Sequence, residues 1–188
     1  MVFPSITAWQ DNNWWLFWVL MIINIFCQIT LLINRRLART VPINYIMLGI
    51  ITLSESYFLS MIVAEYTPQS VFMCALITTA AFVGMTFQAV FTRSDLTIYG
   101  TLIAGMLALM IVMAVMFLFT AIPFIVVVIN VIGAAFAMLF VVIDTQLILQ
   151  KRKYNITLDD YIVASLILYL DFVELFIHLL RIFGEKKK

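Results

Sequence analysis

Charge is what this sequence lacks most. Only 11% of its 188 residues are Asp, Glu, Lys or Arg, where a soluble domain carries about a quarter. A water-facing globular surface is excluded on that count, because too few charged side chains exist to cover one. Eleven basic residues against ten acidic ones leave a formal net charge of +1, so no extended positive field for nucleic acid is present. Cysteine is scarce as well. Cys27 and Cys74 both fall inside apolar segments, which speaks against a disulfide or metal framework and leaves them as small hydrophobes. Met1–Asn13 has no basic start followed by an apolar run, so no cleavable signal peptide is read there. Phosphate-binding glycine loops, zinc-type spacings and a Ser–His pair are missing too, and no cofactor is expected.

What is present is long apolar sequence, with 65% of the chain hydrophobic. A transmembrane helix needs roughly 20 mostly apolar residues, so this length accommodates about six short-looped spans. The spans are placed at Trp14–Ile33, Asn44–Ala64, Val71–Phe91, Leu96–Phe119, Ile122–Leu149 and Tyr161–Phe183. Pro42, Pro68 and Pro123 stand at span starts or in loops, where proline is tolerated, and Trp14, Trp15 and Trp18 suit an interfacial belt. The expected fold is therefore an all-α membrane protein, a bundle of six hydrophobic helices in one domain over residues 1–188. The lipid bilayer is its first expected partner.

Basic residues outside the spans alternate. Loop one holds Arg35, Arg36 and Arg39, loop three Arg93, and loop five Lys151, Arg152 and Lys153; loops two and four hold none. That places the odd loops in the cytosol and the N-terminal segment on the far side. Six full crossings then put the basic tail, Lys186 to Lys188, on the far side as well. Either the last segment is tilted or re-entrant, or the tail is a tolerated exception. Asn155-Ile156-Thr157 matches a glycosylation pattern but falls in the loop read as cytosolic, so it is expected to stay unmodified.

Acids inside the spans are the candidate functional residues. A charge at the bilayer centre costs on the order of 3 kcal/mol on insertion scales. Asp144 lies in "VVIDTQLIL", and Asp171 and Glu174 lie in "LYLDFVELF". Asp171, Glu174, His178 and Arg181 are spaced 3, 4 and 3 residues apart, which sets them on one helix face. That stripe is read as facing a polar cavity or the bundle interior. The plainer alternative is the solvated face of an interfacial helix, with His178 a hydrogen-bonded packing residue and Arg181 snorkelling to the interface.

If the fifth and sixth helices form an antiparallel hairpin, Asp144 and Asp171 meet at similar depth. Two nearby carboxylates in low dielectric resist double ionisation and share a proton. Asn24, Gln28 and Arg35 follow one stripe of the first span, which makes Arg35 a candidate counter-charge at that depth. Arg36 and Arg39 are read as plain anchoring. Glu55, in "TLSESY", is a lone mid-span acid, either hydrogen-bonded in the interior or part of an ion path.

These residues also carry a resemblance. "IDTQLIL", "LILYLDFVELFIHLLRIFG" and "FTRSDLT" resemble the transmembrane Bax-inhibitor-motif, or Lifeguard, family. "ITLSESYFLSMI" and "ITTAAFVGMTFQAVFTRSDLT" look most like its Golgi anti-apoptotic protein branch, and the likeness runs from about Trp15 onward. The resemblance implies a helical bundle that leaks cations, chiefly Ca2+, from intracellular stores and dampens cell death. It implies a pH-sensitive latch of two aspartates, matched here by Asp144 and Asp171, with a passing Ca2+ near them. It also implies an arginine that closes the latch, matched by Arg35. Glu55, Glu174 and His178 are then candidates for the ion path. The implied location is the Golgi or endoplasmic reticulum, with the plasma membrane as an alternative, and the implied partners are membrane proteins of cell-death signalling. The family's first helix is expected to be absent from this chain, and its last hydrophobic segment has a disputed reading as re-entrant. A non-conducting interaction protein is the alternative function. An intramembrane aspartyl protease is the remote one, since its Gly-x-Gly-Asp signature is replaced by "VVID".

Overall fold

The computed structural model describes residues 9–10, 12–91, 123–149 and 160–187. Six helices run through them: α1 (Trp14–Ile33), α2 (Arg35–Arg39), α3 (Ile43–Ala64), α4 (Pro68–Phe91), α5 (Pro123–Leu149) and α6 (Tyr161–Phe183). No strand occurs among the described residues. All except α2 are long and apolar enough to cross a membrane. The expected span Leu96–Phe119, Arg93 and the loop carrying Asn155 lie outside the described residues.

The helix limits arise from local chemistry. α4 and α5 both open on proline, at Pro68 and Pro123. A missing N–H costs nothing in the first helical turn, and the fixed φ suits it. That moves the start of α4 three residues before the expected Val71. Asn34 separates α1 from α2. Its backbone leaves the helical region, and its side chain accepts a hydrogen bond from the Leu37 N–H at 3.4 Å. One residue thus ends α1 and caps α2.

Seven hydroxyl groups within the described spans bond to their own helix. Thr30, Thr52, Ser54, Ser56, Thr78, Thr79 and Thr86 each donate to the carbonyl four residues back. Lipid offers no such acceptor, so this local bond is what lets polar residues sit in apolar helices.

The chain divides into two compact units. The first contains α1, α2 and α3, the start of α6 and residues 185–187. Here α1 and α3 are joined by polar side chains. Asn24 donates to the Ile51 carbonyl at 3.3 Å and Gln28 donates to Glu55 at 3.1 Å, while Gln10, ahead of α1, donates to Ser60 at 2.8 Å. The Phe17 and Phe58 rings meet edge-on with centroids 5.2 Å apart.

The second unit contains most of α4, α5 and α6. Its buried cluster is Ala134, Ala137, Leu175 and Leu179, with Ala81, Met138 and Ile182 packed around it. Gly133 and Ala137 stand four residues apart on α5, the small-residue spacing that lets two membrane helices approach closely. In α5 and α6, 39% of the apolar window is buried, against 17% in α1 and 11% in α3 and α4. The two helices that carry Asp144, Asp171 and Glu174 are therefore the best-packed of the described spans. α6 is continuous over 23 residues, about 34 Å of helix, which is enough for a full crossing.

Candidate functional site: an acid pair between two buried helices

α5 presents Asp144 and α6 presents Asp171, and the two carboxyl groups lie within reach of a mutual hydrogen bond. Such a bond between two carboxyl groups exists only when at least one of them carries a proton. Asp171 is buried, and its Oδ2 has no protein partner among the described residues. The Thr145 hydroxyl, on the residue after Asp144, is equally buried and unpartnered. Orphaned polar atoms are rare inside proteins and ask for an explanation. Here they lie where Asp144 and Asp171 approach each other.

The expected stripe on α6 is not uniform. Asp171 is buried, while the Glu174 side chain is 55% exposed and that of His178 only 13%. Arg181 is exposed. Glu174 adds to the negative field at Asp171 but does not share its enclosure.

His178 has a tailored seat. Its Nδ1 lies 3.2 Å from Asn130 Oδ1, while the Asn130 amide donates to the Val126 carbonyl at 2.7 Å. With the amide nitrogen so engaged, Asn130 offers an acceptor, and His178 Nδ1–H is the donor. Nε2 then faces Glu174 Oε1 at 3.9 Å. The ring lies over Gly133, where an added Cβ would collide with Cε1. Sequence reasoning singles out neither Asn130 nor Gly133. The signal available is a polar residue three before a Gly-Ala-Ala run, in an otherwise apolar span.

Glu55 belongs to the first unit, where Gln28 hydrogen-bonds it. Arg35 opens α2 beyond the Asn34 break, and its side chain lies outside the described atoms. Arg39 has a role that anchoring does not predict. Its Nε and one terminal nitrogen bond the Asp160 carboxylate at 2.6 and 2.7 Å, and Asp160 is 5% exposed. Beside that pair, the Tyr45 and Tyr161 hydroxyls are 2.9 Å apart. Among the described residues no group of three or more His, Cys, Asp or Glu is arranged to hold a metal ion.

Five apolar helices of membrane-crossing length among the described residues, two of them bringing acids together, define a polytopic helical membrane protein. The family described as inhibitor of apoptosis-promoting Bax1 matches residues 1–188, and the chain belongs to it. Relatives include the Golgi anti-apoptotic proteins of vaccinia virus strains Lister and LC16m0. Each is 29% identical over 171 residues, covering 90% of this chain and 70% of the relative.

Proposed function

We propose that the chain is a pH-sensitive cation leak for Ca2+ in an intracellular membrane, Golgi or endoplasmic reticulum, where it lowers stored Ca2+ and restrains apoptosis. The observation that carries this is the close approach of Asp144 and Asp171 on two membrane-length helices. The Golgi location and the effect on cell death rest on what the relatives are called. Membrane proteins of cell-death signalling are the partners that effect would require.

The two acids act as the sensor and Arg35 as the closing cation. Once the shared proton leaves, the ionised pair attracts the guanidinium and holds the gate shut. Two like charges about 4 Å apart interact by about 4 kcal/mol at an effective dielectric near 20, so the ionised pair needs that cation. Protonation weakens the attraction and frees Arg35. The leak therefore rises as pH falls. Glu55, Glu174 and His178 are assigned to the path of the ion.

The test is Ca2+ release from loaded vesicles containing only the purified chain, monitored across pH. Asp144→Asn should flatten the pH profile. Arg35→Gln should raise the resting leak and flatten the profile, and the double variant should add little, since both changes break one link. Absence of flux at every pH would leave a non-conducting interaction protein. An unchanged profile in Asp144→Asn would remove the pair as the sensor.

A further inference from the structure

Beyond Phe183 the chain leaves α6 and docks on the turn between α3 and α4. Tyr66 and Lys186 form an antiparallel bridge. The Thr67 N–H donates to the Glu185 carbonyl, and the Lys187 N–H donates to the Glu65 carbonyl, each at 2.9 Å. The Lys186 ammonium meets Glu65 Oε2 at 3.1 Å and lies 6.0 Å from the centre of the Tyr66 ring. Lys187 Nζ donates to the carbonyl of Ala64, the last residue of α3, at 2.8 Å. A cation there opposes the negative end of the helix dipole.

The other end of α6 is tied to the other end of α3. Tyr161, the first residue of α6, is bonded to Tyr45 in the first turn of α3. Asp160, just before it, is held by Arg39, just before α3. α3 has 22 residues and is therefore about 33 Å long. A re-entrant α6 would bring both of its ends to one end of α3. Instead they reach opposite ends.

We infer that residues 185–187 form a clasp on the α3–α4 turn, and that α6 crosses the membrane completely. Lys186 and Lys187 then emerge on the face opposite Arg35, Arg36 and Arg39. The charge conflict in the sequence has a local resolution. The two lysines do not stand as free cations; a carboxylate and a helix-end carbonyl engage them. This inference concerns topology and needs no ion flux, so it stands or falls apart from the proposed activity.

Two measurements test it in the full chain, in membranes, with Cys27 and Cys74 replaced by alanine. The hydrogen bonds flank the Tyr66–Lys186 pair, so it is of the close, non-hydrogen-bonded kind with Cα atoms about 4.5 Å apart. That lies within the roughly 4.4–6.8 Å a disulfide requires. Tyr66→Cys with Lys186→Cys should therefore crosslink on mild oxidation. After cleavage at Arg93 the two fragments should stay joined until reduced. Leu37→Cys with Lys186→Cys should give no link. The second measurement uses single, solvent-exposed positions and so survives a failure of the double variant to fold. A membrane-impermeant thiol reagent should reach Lys186→Cys from the same side as Glu65→Cys and from the side opposite Arg36→Cys. Labelling of Lys186→Cys from the Arg36 side, or a crosslink to Leu37→Cys instead of Tyr66→Cys, would overturn the inference.

Discussion

The two units handle buried acids in opposite ways. In the first, the two enclosed acids among the described residues are each matched to a donor. Asp160 receives a two-pronged guanidinium from Arg39, and Glu55 receives an amide from Gln28. In the second, Asp144 and Asp171 have each other, and an orphaned oxygen remains on Asp171. A matched acid is fixed in one state, and removing its donor only weakens the fold. A mutually bonded pair changes state by gaining or losing one proton. Within one chain of similar helices, the second arrangement is the one suited to sensing and the first to support.

The sharpest way to break that contrast is at the matched acid. Arg39→Ala leaves Asp160 buried without its cation. Breaking a fully buried pair costs about 3–5 kcal/mol, and the partial exposure of Arg39 reduces this to about 2 kcal/mol. Thermal unfolding in detergent should show the loss, and the pair Arg39→Gln with Asp160→Asn should restore most of it. No loss in Arg39→Ala would mean the bridge is ornamental. At the Asp144–Asp171 pair the prediction rests on the proposed leak. Asp171→Asn should change Ca2+ release about tenfold, worth about 1.4 kcal/mol, while Glu174→Gln, exposed and outside the pair, should change it less than about twofold. Equal, small effects would make the α6 stripe structural.

Gly133→Ala probes the packing that brings the acids together. Overpacking costs about 1–3 kcal/mol, while alanine returns up to about 1 kcal/mol of helix propensity, so a net loss of about 1 kcal/mol is expected. Adding His178→Ala should relieve part of it, because the new methyl meets that ring. Unfolding measurements on the four chains of this cycle give the coupling. The smallest effect belongs to Glu55→Gln. Its amide oxygen still accepts from Gln28, so stability should move by less than about 0.5 kcal/mol, within the range of a mild substitution. A large change in the leak there would place Glu55 in the ion path.

Much of this is legible in the sequence because lipid makes the rules simple. Apolar length alone sets α1 and α6 at the limits the structure shows, and the 144-to-171 approach comes from hairpin geometry at equal depth. What escapes are features without a periodic signature. Arg39 and Asp160 are 121 residues apart, and nothing local in "RRLAR" or "LDDY" links them. The Asn34 break lies inside a run that reads as one stripe from Asn24 to Arg35, because an amide that caps a helix looks the same as one that lines it. Gly133 declares itself only when the ring above it is known. The basic segment after α6 looks like a cytosolic signal because a charge count carries no partners.

The short helix α2 has a mechanical consequence. Five residues make about 7.5 Å of helix, too short a rod to bend. Arg35 forms one end of it and Arg39 the other, so a tug at either end turns both. Arg39 is tied to Asp160, and Asn34 is the pivot at which the rod meets α1. The heading of α2 is therefore set remotely, by whatever shifts the start of α6, much as a crank is set by the hand at its far end.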